Sequence, residues 1–177
     1  MQDILLVIDM QNDFVTGTLG TKEAVAILPN VKKKIKEYVT NGDIVIFTAD
    51  THYDNYLLTR EGRCLPIPHC IAGTEGKKIV EGLEPPHPNA SSLVLSKSTF
   101  GYTKWMDWVH YMKEIEIVGV CTDVCVVSNA LMLRSLFPDA RITVDASCCA
   151  GTTPEAHKAT LMVMKSCHID VVGEDVE

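Results

Sequence analysis

Six short apolar runs alternate along the chain with stretches of helical periodicity. The runs are almost continuously apolar, which is typical of strands buried on both faces of a sheet. They occupy residues 3–8, 43–48, 93–95, 115–120, 141–144 and 169–172. Helical patterns predict a helix that is interrupted or begins afresh at Pro29 and stops at Asn41-Gly42, and further helices over residues 77–83, 102–111, 126–133 and 154–166. The alternation predicts a single α/β domain over residues 1–177, with helices on both faces of an open, mostly parallel six-stranded sheet (three α/β/α layers).

The stretch from residue 115 to residue 131 joins a buried strand to a helix and carries Cys125. Thr122 or Asp123 supplies an N-cap oxygen at the junction, so Cys125 is expected in the first turn of the helix. Unpaired backbone N–H groups and the helix dipole favour a thiolate at such a position. The alternative is that Cys125 is a small buried hydrophobic residue, which is the commoner role of a free cysteine.

Four residues with reactive side chains fall at or just past predicted strand ends: Asp9, Asp50, Lys97 and Cys125. Ligands of open α/β sheets bind beyond the carboxyl ends of the strands, so we expect these groups at one edge. The ammonium of Lys97 would lower the pKa of the Cys125 thiol, and Asp9 would carry a proton to a leaving amine. The backbone N–H groups of Cys121 and Cys125 would hold the oxyanion of an acyl transfer. The alternative, that polar residues simply end strands, explains one or two of these residues better than all of them together.

A second set of candidate residues lies in the long segment between the second and third strands, where a loop of such length is usually functional. The set comprises Asp50, His52, Glu61 and His69. Imidazoles combined with carboxylates suit a divalent metal ion such as Zn²⁺, Mn²⁺ or Fe²⁺. A solvated polar loop is the alternative, because Asp-x-His alone is a weak signal.

Composition narrows the possible partners. A net charge of −7, with no basic cluster larger than the one at residues 32–36, argues against nucleic-acid binding. No segment approaches the ~20 apolar residues of a membrane span. Seven cysteines, and a start that runs into an apolar strand without a charged leader, favour free thiols in a reducing compartment. A cytoplasmic location is therefore expected.

Three motifs resemble those of the isochorismatase-like cysteine hydrolases, in the order and spacing of that family across the whole chain. They are Asp9-Met10-Gln11-Asn12-Asp13-Phe14, Ser96-Lys97-Ser98-Thr99-Phe100 and Gly119-Val120-Cys121-Thr122-Asp123-Val124-Cys125-Val126. The resemblance implies an isochorismatase-like (Rossmann-like) fold, a catalytic triad of Asp9, Lys97 and Cys125, and a cis peptide bond between Val120 and Cys121. Asp123 would be structural.

Within that family, the long loop is similar to that of the nicotinamidases. The similarity rests on Asp50-x-His52 and on Pro68-His69-Cys70-x-x-Gly73-Thr74. It implies a metal ion that holds the pyridine nitrogen of the substrate, with Asp50, His52 and His69 as ligands and Glu61 at the position of an additional one. The implied reaction converts nicotinamide and water to nicotinate and ammonia through a Cys125 thioester, a step of NAD salvage.

The resemblance also implies a pocket for a small amide, lined by Phe14, Leu19, Phe100 and Tyr102, and a homo-oligomer as the assembly. One departure concerns the aromatic residue that nicotinamidases place before Pro-x-His, because residues 65–67 are Leu-Pro-Ile. The alternative function is therefore a metal-free hydrolase of the same family that acts on another small amide or on a ureido or carbamoyl compound. A non-catalytic member that binds a ligand or a partner through the same pocket is the third possibility.

Overall fold

The computed structural model describes residues 3–83, 92–107 and 113–174. Its strands form one sheet in the order β3-β2-β1-β4-β5-β6, and all pairings between neighbouring strands are parallel. The strands are β1 (Ile4–Ile8), β2 (Ile44–Asp50), β3 (Ser92–Lys97), β4 (Glu114–Val120), β5 (Arg141–Ala150) and β6 (Asp170–Val172). The predicted open, parallel, six-stranded sheet is thus confirmed.

Short and long helical segments connect the strands. The α-helices are α1 (Asn12–Val15), α2 (Lys22–Ala26), α3 (Leu28–Asn41), α4 (Arg60–Cys64), α5 (Val127–Leu136) and α6 (Pro154–Ser166). Single 3₁₀ turns lie at Tyr56–Leu58 and Trp105–Asp107, and a π-helical turn, Thr122–Val126, leads directly into α5. In the part of the chain that is described, no helix is long and apolar enough to cross a membrane.

Strand β1 shows how the sheet separates two apolar cores. Ile4, Leu6 and Ile8 point into one core, which residues of α5 and α6 complete. Leu5 and Val7 point into the other core, which includes residues of α3. Successive side chains of a strand face opposite sides of the sheet, and all five residues are fully buried, so both faces of β1 are covered. This arrangement is the predicted α/β/α layering.

The order of the strands reverses between β1 and β4. From β1 the chain builds outward through β2 to β3, then returns to the other side of β1 and builds outward again. The crevice beyond the carboxyl ends of β1 and β4 is the switch point at which such folds bind ligands. Gly119 allows the two strands to approach closely here, because its φ is +120° and a Cβ would lie 2.1 Å from the carbonyl oxygen of Ile8.

The helix predicted over residues 77–83 is wrong. These residues form turns and an isolated antiparallel bridge between Gln11 and Ile79. The amide of Asn12 donates to the carbonyl of Lys78, and the side chain of Gln11 donates to the carbonyl of Lys77. Hydrogen bonds to the β1–α1 turn therefore replace the bonds that a helix would make within itself.

The helix predicted over residues 102–111 is also not seen in the described part of that range, where Trp105–Asp107 form only a single 3₁₀ turn. Residues 108–111 lie outside the described residues. The amide of Tyr102 and the indole of Trp105 both donate to the side chain of Asn129, which holds the segment in an irregular conformation.

Strand β5 is longer than predicted, and the helix after β4 starts differently. A bulge opposite Ile117 and Gly119 allows β5 to continue pairing as far as Ala150. No side chain caps the π-helical turn, and Asp123 instead accepts hydrogen bonds from the amide and the hydroxyl of Thr152. The predicted N-cap is therefore wrong, whereas Cys125 does lie in the first helical turn after β4.

Candidate active site and metal centre

Asp9, Lys97 and Cys125 meet beyond the ends of three parallel strands. The Lys97 Nζ atom lies 2.6 Å from Asp9 Oδ2 and 3.6 Å from Cys125 Sγ. The Thr48 hydroxyl donates to Asp9 Oδ1 at 2.6 Å and accepts from the Asp9 amide at 3.2 Å. All four side chains are buried. The polypeptide also contains a cis peptide bond between Val120 and Cys121, as the resemblance implies.

The surroundings of the Cys125 thiol differ from those expected from the sequence. Burial raises its pKa well above the ordinary value and the charge of Asp9 raises it further; Lys97 lowers it by less than either, and Asp50 adds a smaller increase. Burial likewise raises the pKa of Asp9, although Lys97 acts in the opposite direction. The pKa of Cys125 is therefore shifted in the direction opposite to the one expected from Lys97 alone, because the cost of burying charge exceeds the effect of one lysine that two carboxylates share.

Asp50 connects this group to the candidate metal ligands. Its Oδ1 atom lies 3.5 Å from Lys97 Nζ, and its Oδ2 atom lies 3.0 Å from His52 Nε2 and 3.7 Å from His69 Nε2. The buried side chain of Gln11 holds the backbone of Asp50, accepting from its amide at 2.7 Å and donating to its carbonyl at 2.9 Å. One carboxylate thus faces the lysine and both imidazoles.

The four predicted metal ligands form one cluster. One donor atom from each of Asp50, His52, Glu61 and His69 lies within 4.8 Å of all the others. Glu61 Oε1 is 3.5 Å from the Nε2 atoms of both histidines. The Nδ1–H group of His69 donates to the carbonyl of Ile67 at 2.8 Å, which fixes the tautomer and directs Nε2 toward the cluster.

Local structure within the long connection brings these ligands together. Glu61 lies on α4, whose N-cap Thr59 accepts a hydrogen bond from the amide of Gly62 at 3.0 Å. His52 pairs with Ile71 in an isolated parallel bridge, which places the segment after β2 beside the segment that carries His69. The connection is therefore folded onto the carboxyl edge of the sheet.

The electrostatics of the cluster suit a cation. Burial alone lowers the pKa of each histidine, but hydrogen bonds to Asp50 and Glu61 raise it, to about 9 for His52 and about 10 for His69. Burial raises the pKa of both acids, and the histidines outweigh it, lowering the pKa of Glu61 to about 2 and that of Asp50 further. Two carboxylates that attract protons onto two imidazoles also attract a divalent cation, and nitrogen and oxygen donors suit Zn²⁺, Mn²⁺ or Fe²⁺. The donor set therefore fits such an ion.

A cavity of about 730 Å³ opens beside the cluster. His52 and Glu61 line one side of it, and Phe100 and Val124, the residue before Cys125, line another. Phe14 packs its ring 5.4 Å from that of His69 but, contrary to the prediction, is not a lining residue of this cavity.

The other two predicted pocket residues lie elsewhere. Tyr102 lines a neighbouring cleft of about 320 Å³ next to Lys97. Leu19 packs against the core that includes α3 and is not a lining residue of the cavity among the described residues.

Four side chains that support the site were not singled out from the sequence. Thr48 bonds Asp9, Gln11 holds Asp50, Tyr56 packs its ring against His52 and His69 at 4.8 and 5.1 Å, and Asn129 holds the segment that carries Phe100. Gln11 lies inside a recognised motif, so its position gave a signal. The other three lie in strands, turns or helices whose patterns carry no information about a site.

A parallel α/β sheet with a buried cysteine, lysine and aspartate at its switch point defines the class of this protein. The isochorismatase domain matches residues 3–175, so the chain belongs to that family and is a hydrolase. An uncharacterized isochorismatase family protein, PncA of Bacillus subtilis (strain 168), is 30% identical over 169 residues, covering 89% of this chain and 91% of the relative. A probable inactive nicotinamidase of Arabidopsis thaliana is 28% identical, covering 92% of this chain and 87% of the relative.

Solved structures agree with this assignment. The crystal structure of nicotinamidase/pyrazinamidase PncA from Bacillus subtilis has a TM-score of 0.86 at 26% identity, covering 97% of this chain and 100% of that one. A pyrazinamidase of Pyrococcus horikoshii in complex with zinc has a TM-score of 0.84 at 27% identity, covering 98% of this chain and 100% of that one.

Proposed function

We propose that this protein is a metal-dependent nicotinamidase that hydrolyses nicotinamide to nicotinate and ammonia. The observation that carries the proposal is the proximity of two chemical groups, the Asp9–Lys97–Cys125 set and the cluster of four donors. Lys97 touches Cys125 at 3.6 Å and Asp50 at 3.5 Å, so one side chain separates the nucleophile from the donor set. A flat ring with a carboxamide and a nitrogen lone pair suits a cavity that two members of the donor set, His52 and Glu61, line together with Val124, the residue before the nucleophile. The nicotinamidase/pyrazinamidase of Bacillus subtilis and the pyrazinamidase of Pyrococcus horikoshii support the same substrate class.

In the proposed first half-reaction, the Cys125 sulfur attacks the amide carbon while its proton passes to Asp9. The carbonyl oxygen becomes an oxyanion that accepts hydrogen bonds from the amides of Cys121 and Cys125. The C–N bond then breaks, Asp9 returns the proton to the nitrogen, and ammonia leaves. A nicotinoyl thioester remains on Cys125.

In the second half-reaction, Asp9 takes a proton from water as the water oxygen attacks the thioester carbon. The C–S bond breaks, Asp9 passes its proton to the sulfur, which becomes the thiol again, and the acid product releases its remaining proton to solvent as nicotinate. Lys97 stabilises the negative charge that moves between sulfur and carboxylate, because its ammonium is held between them throughout.

Asp50, His52, Glu61 and His69 would hold the metal ion. When bound, a divalent ion supplies Lewis acidity and a fixed point of attachment for the ring nitrogen. Phe14 and Tyr56 pack against the imidazoles and limit the directions in which the histidines can turn. The homo-oligomer, the cytoplasmic location and the absence of nucleic-acid partners stay predictions.

The alternative is a metal-free hydrolase for a ureido, carbamoyl or other small amide substrate. The observation that favours it is that residues 65–67, ahead of Pro68 and His69, supply the aliphatic side chains of Leu65 and Ile67 and no aromatic ring. The compact set of two imidazoles and two carboxylates favours the metal-dependent enzyme over this alternative, because an unmetallated pocket has no evident need for it.

The decisive experiment measures ammonia release from nicotinamide by protein as purified, after chelator treatment, and after return of Zn²⁺, Mn²⁺ or Fe²⁺. We expect activity that is lost on chelation and recovered with at least one ion. The Glu61→Gln variant should bind that ion more weakly, whereas Glu75→Gln, a matched change at an exposed acid of the same connection, should not. Rapid hydrolysis that is indifferent to metal removal, or activity confined to ureido compounds, would favour the alternative. A non-catalytic binding protein would release no ammonia from any amide tested.

A further inference from the structure

Asn129 is a fully buried polar residue on α5, one helical turn after Cys125. Its Oδ1 atom accepts from the amide of Tyr102 at 2.8 Å and from the indole N–H of Trp105 at 2.9 Å. Its Nδ2 group donates to the carbonyl of Cys125 at 2.8 Å and to the carbonyl of Phe100 at 3.3 Å. One amide side chain thus joins the turn that carries the nucleophile to the segment after β3.

That segment, residues 99–102, also packs directly on α5. The Thr99 hydroxyl donates to the carbonyl of Gly101 at 2.8 Å and closes a tight turn. A Cβ on Gly101 would lie 3.0 Å from Met132 Cε and 3.5 Å from the carbonyl oxygen of Ser128, so the absence of a side chain allows the close approach. The segment is therefore seated on α5 by packing, and its orientation is fixed by the bonds to Asn129.

The packing of this segment on α5 determines where Phe100 lies. The residue is 46% exposed and lines the cavity together with His52 and Glu61. Residues 65–67 are aliphatic, so the aromatic lining residues of the cavity are Tyr53, Tyr56 and Phe100, and of these Phe100 lies on the segment that Asn129 holds. An exposed ring on an irregular segment has no strand or helix of its own to orient it, so its position depends on the contacts of its backbone.

We propose that Asn129 is a positioning residue that holds Phe100 as the stacking wall of the pocket, and that this wall selects ring-bearing amides over ring-free ones. The inference rests on the proposed function and adds the residue that sets the substrate class. Asparagine suits the position because both of its acceptor bonds and both of its donor bonds are used. Aspartate would keep the acceptors but would face two carbonyl oxygens without a donor, and alanine would leave all four partners without Asn129.

The test compares Asn129→Ala and Asn129→Asp with the parent, in the metal-loaded protein. We expect KM for nicotinamide to rise about tenfold, as befits the loss of an aromatic contact, with a smaller change in kcat. Hydrolysis of propionamide and the rate of Cys125 alkylation by iodoacetamide should fall by a clearly smaller factor than hydrolysis of nicotinamide, because neither reagent carries a ring and both register only the lost bond to the Cys125 carbonyl. Asn30→Ala, which removes an exposed asparagine that donates one bond to the carbonyl of Ser147, is the matched control and should change none of these values.

The Phe100→Ala variant separates positioning from a general loss of structure. The Phe100 ring is half-exposed, so its removal should leave the fold intact while raising KM for nicotinamide by a similar factor. Once the ring is gone, adding Asn129→Ala should raise KM for nicotinamide by less than about twofold more. A full further increase in the double variant would overturn the proposal, as would an equal loss of activity on ring-bearing and ring-free amides.

Hydrogen exchange of the peptide that spans residues 99–105 provides a readout without substrate. Exchange should accelerate at least about tenfold in Asn129→Ala, because the Tyr102 amide and the Phe100 carbonyl lose their partner. Unchanged exchange would overturn the positioning role even in an active enzyme. A parent protein that fails to hydrolyse nicotinamide would refute the proposed function instead, and the exchange result would still decide whether Asn129 holds the segment.

Discussion

Asp9→Asn tests the mechanism most directly, because the change removes one charge and preserves the shape of the side chain. In the parent, Lys97 Nζ lies 2.6 Å from Asp9 and 3.5 Å from Asp50. The variant therefore leaves the buried ammonium with a single, more distant carboxylate. Breaking a buried ion pair outright costs about 3–5 kcal/mol, and the retained contact with Asp50 places the expected loss in the free energy of unfolding near the lower limit, about 3 kcal/mol.

The kinetic effect should be larger than the effect on stability. General acid–base catalysis contributes about 10²–10⁴-fold, and Asp9 moves a proton in both half-reactions. We therefore expect kcat for nicotinamide to fall by about 10⁴-fold, which corresponds to about 5.4 kcal/mol of transition-state stabilisation. Lys97 and Cys125 would remain, but the members of such a set act together, so little activity should survive.

Initial rates of ammonia release from metal-loaded protein measure this change, and urea unfolding measures the stability of the same samples. Asp54→Asn, the same substitution at an exposed acid, is the matched control and should leave both quantities unchanged. A folded Asp9→Asn protein that retains more than a tenth of the parent kcat would refute the assignment of Asp9 as the proton carrier.

Three further predictions address the nucleophile, the metal ligands and a charged network outside the site. Cys125→Ala should abolish ammonia release and keep metal content unchanged, by elemental analysis, because the sulfur belongs to no donor set; retained hydrolysis would exclude the thioester route. His69→Ala should lose about 10–100-fold or more in metal affinity, measured by competition with a chelator, and unchanged affinity would remove it from the ligand set. Lys34 lies 2.8 Å from both Glu116 and Asp145, so Lys34→Met should lower the free energy of unfolding at pH 7 by about 2 kcal/mol. Although burial alone raises the pKa of Asp145, Lys34 lowers it below its ordinary value. The stabilisation that the ion pair contributes is therefore present above pH ~4 and fades as the pH falls further. A stability difference from the parent that does not shrink at all below pH ~4 would contradict this account.

The sheet could be predicted from the sequence because strands that are buried on both faces consist almost entirely of apolar residues. Runs such as residues 4–8 and 115–120 contain almost no polar residues, and only parallel strands under two layers of helices need that composition. The ends of the strands could be predicted as well, since Asp9 and Lys97 stand where apolar runs stop. Because ligands of such folds bind at those ends, the sequence also predicts that these distant residues lie at one edge of the sheet.

The helix predicted over residues 77–83 and the described part of the one predicted over residues 102–111, residues 102–107, are wrong for a common reason. Both segments have apolar spacing that fits a helix, but their backbone groups bond to side chains or turns elsewhere, at Gln11 in one case and Asn129 in the other. Local propensity cannot register a partner that lies far along the chain. The same limit explains why the roles of Thr48 and Tyr56 could not be predicted. Each supports the site only through a residue that the fold places beside it, Asp9 in one case and the two histidines in the other.

Residue types and their order by themselves determined the fold class and the membership of the candidate site, since both follow from burial and from strand ends. Tertiary structure alone decided the direction in which the pKa of the Cys125 thiol is shifted. A lysine near a cysteine implies a thiolate when the two are considered as a pair, yet Cys125 is buried with Lys97, Asp9 and Asp50, and the desolvation of charge outweighs the single ammonium. The pKa of a buried group depends on its burial and on all the charged groups around it, and only the folded chain determines which groups those are.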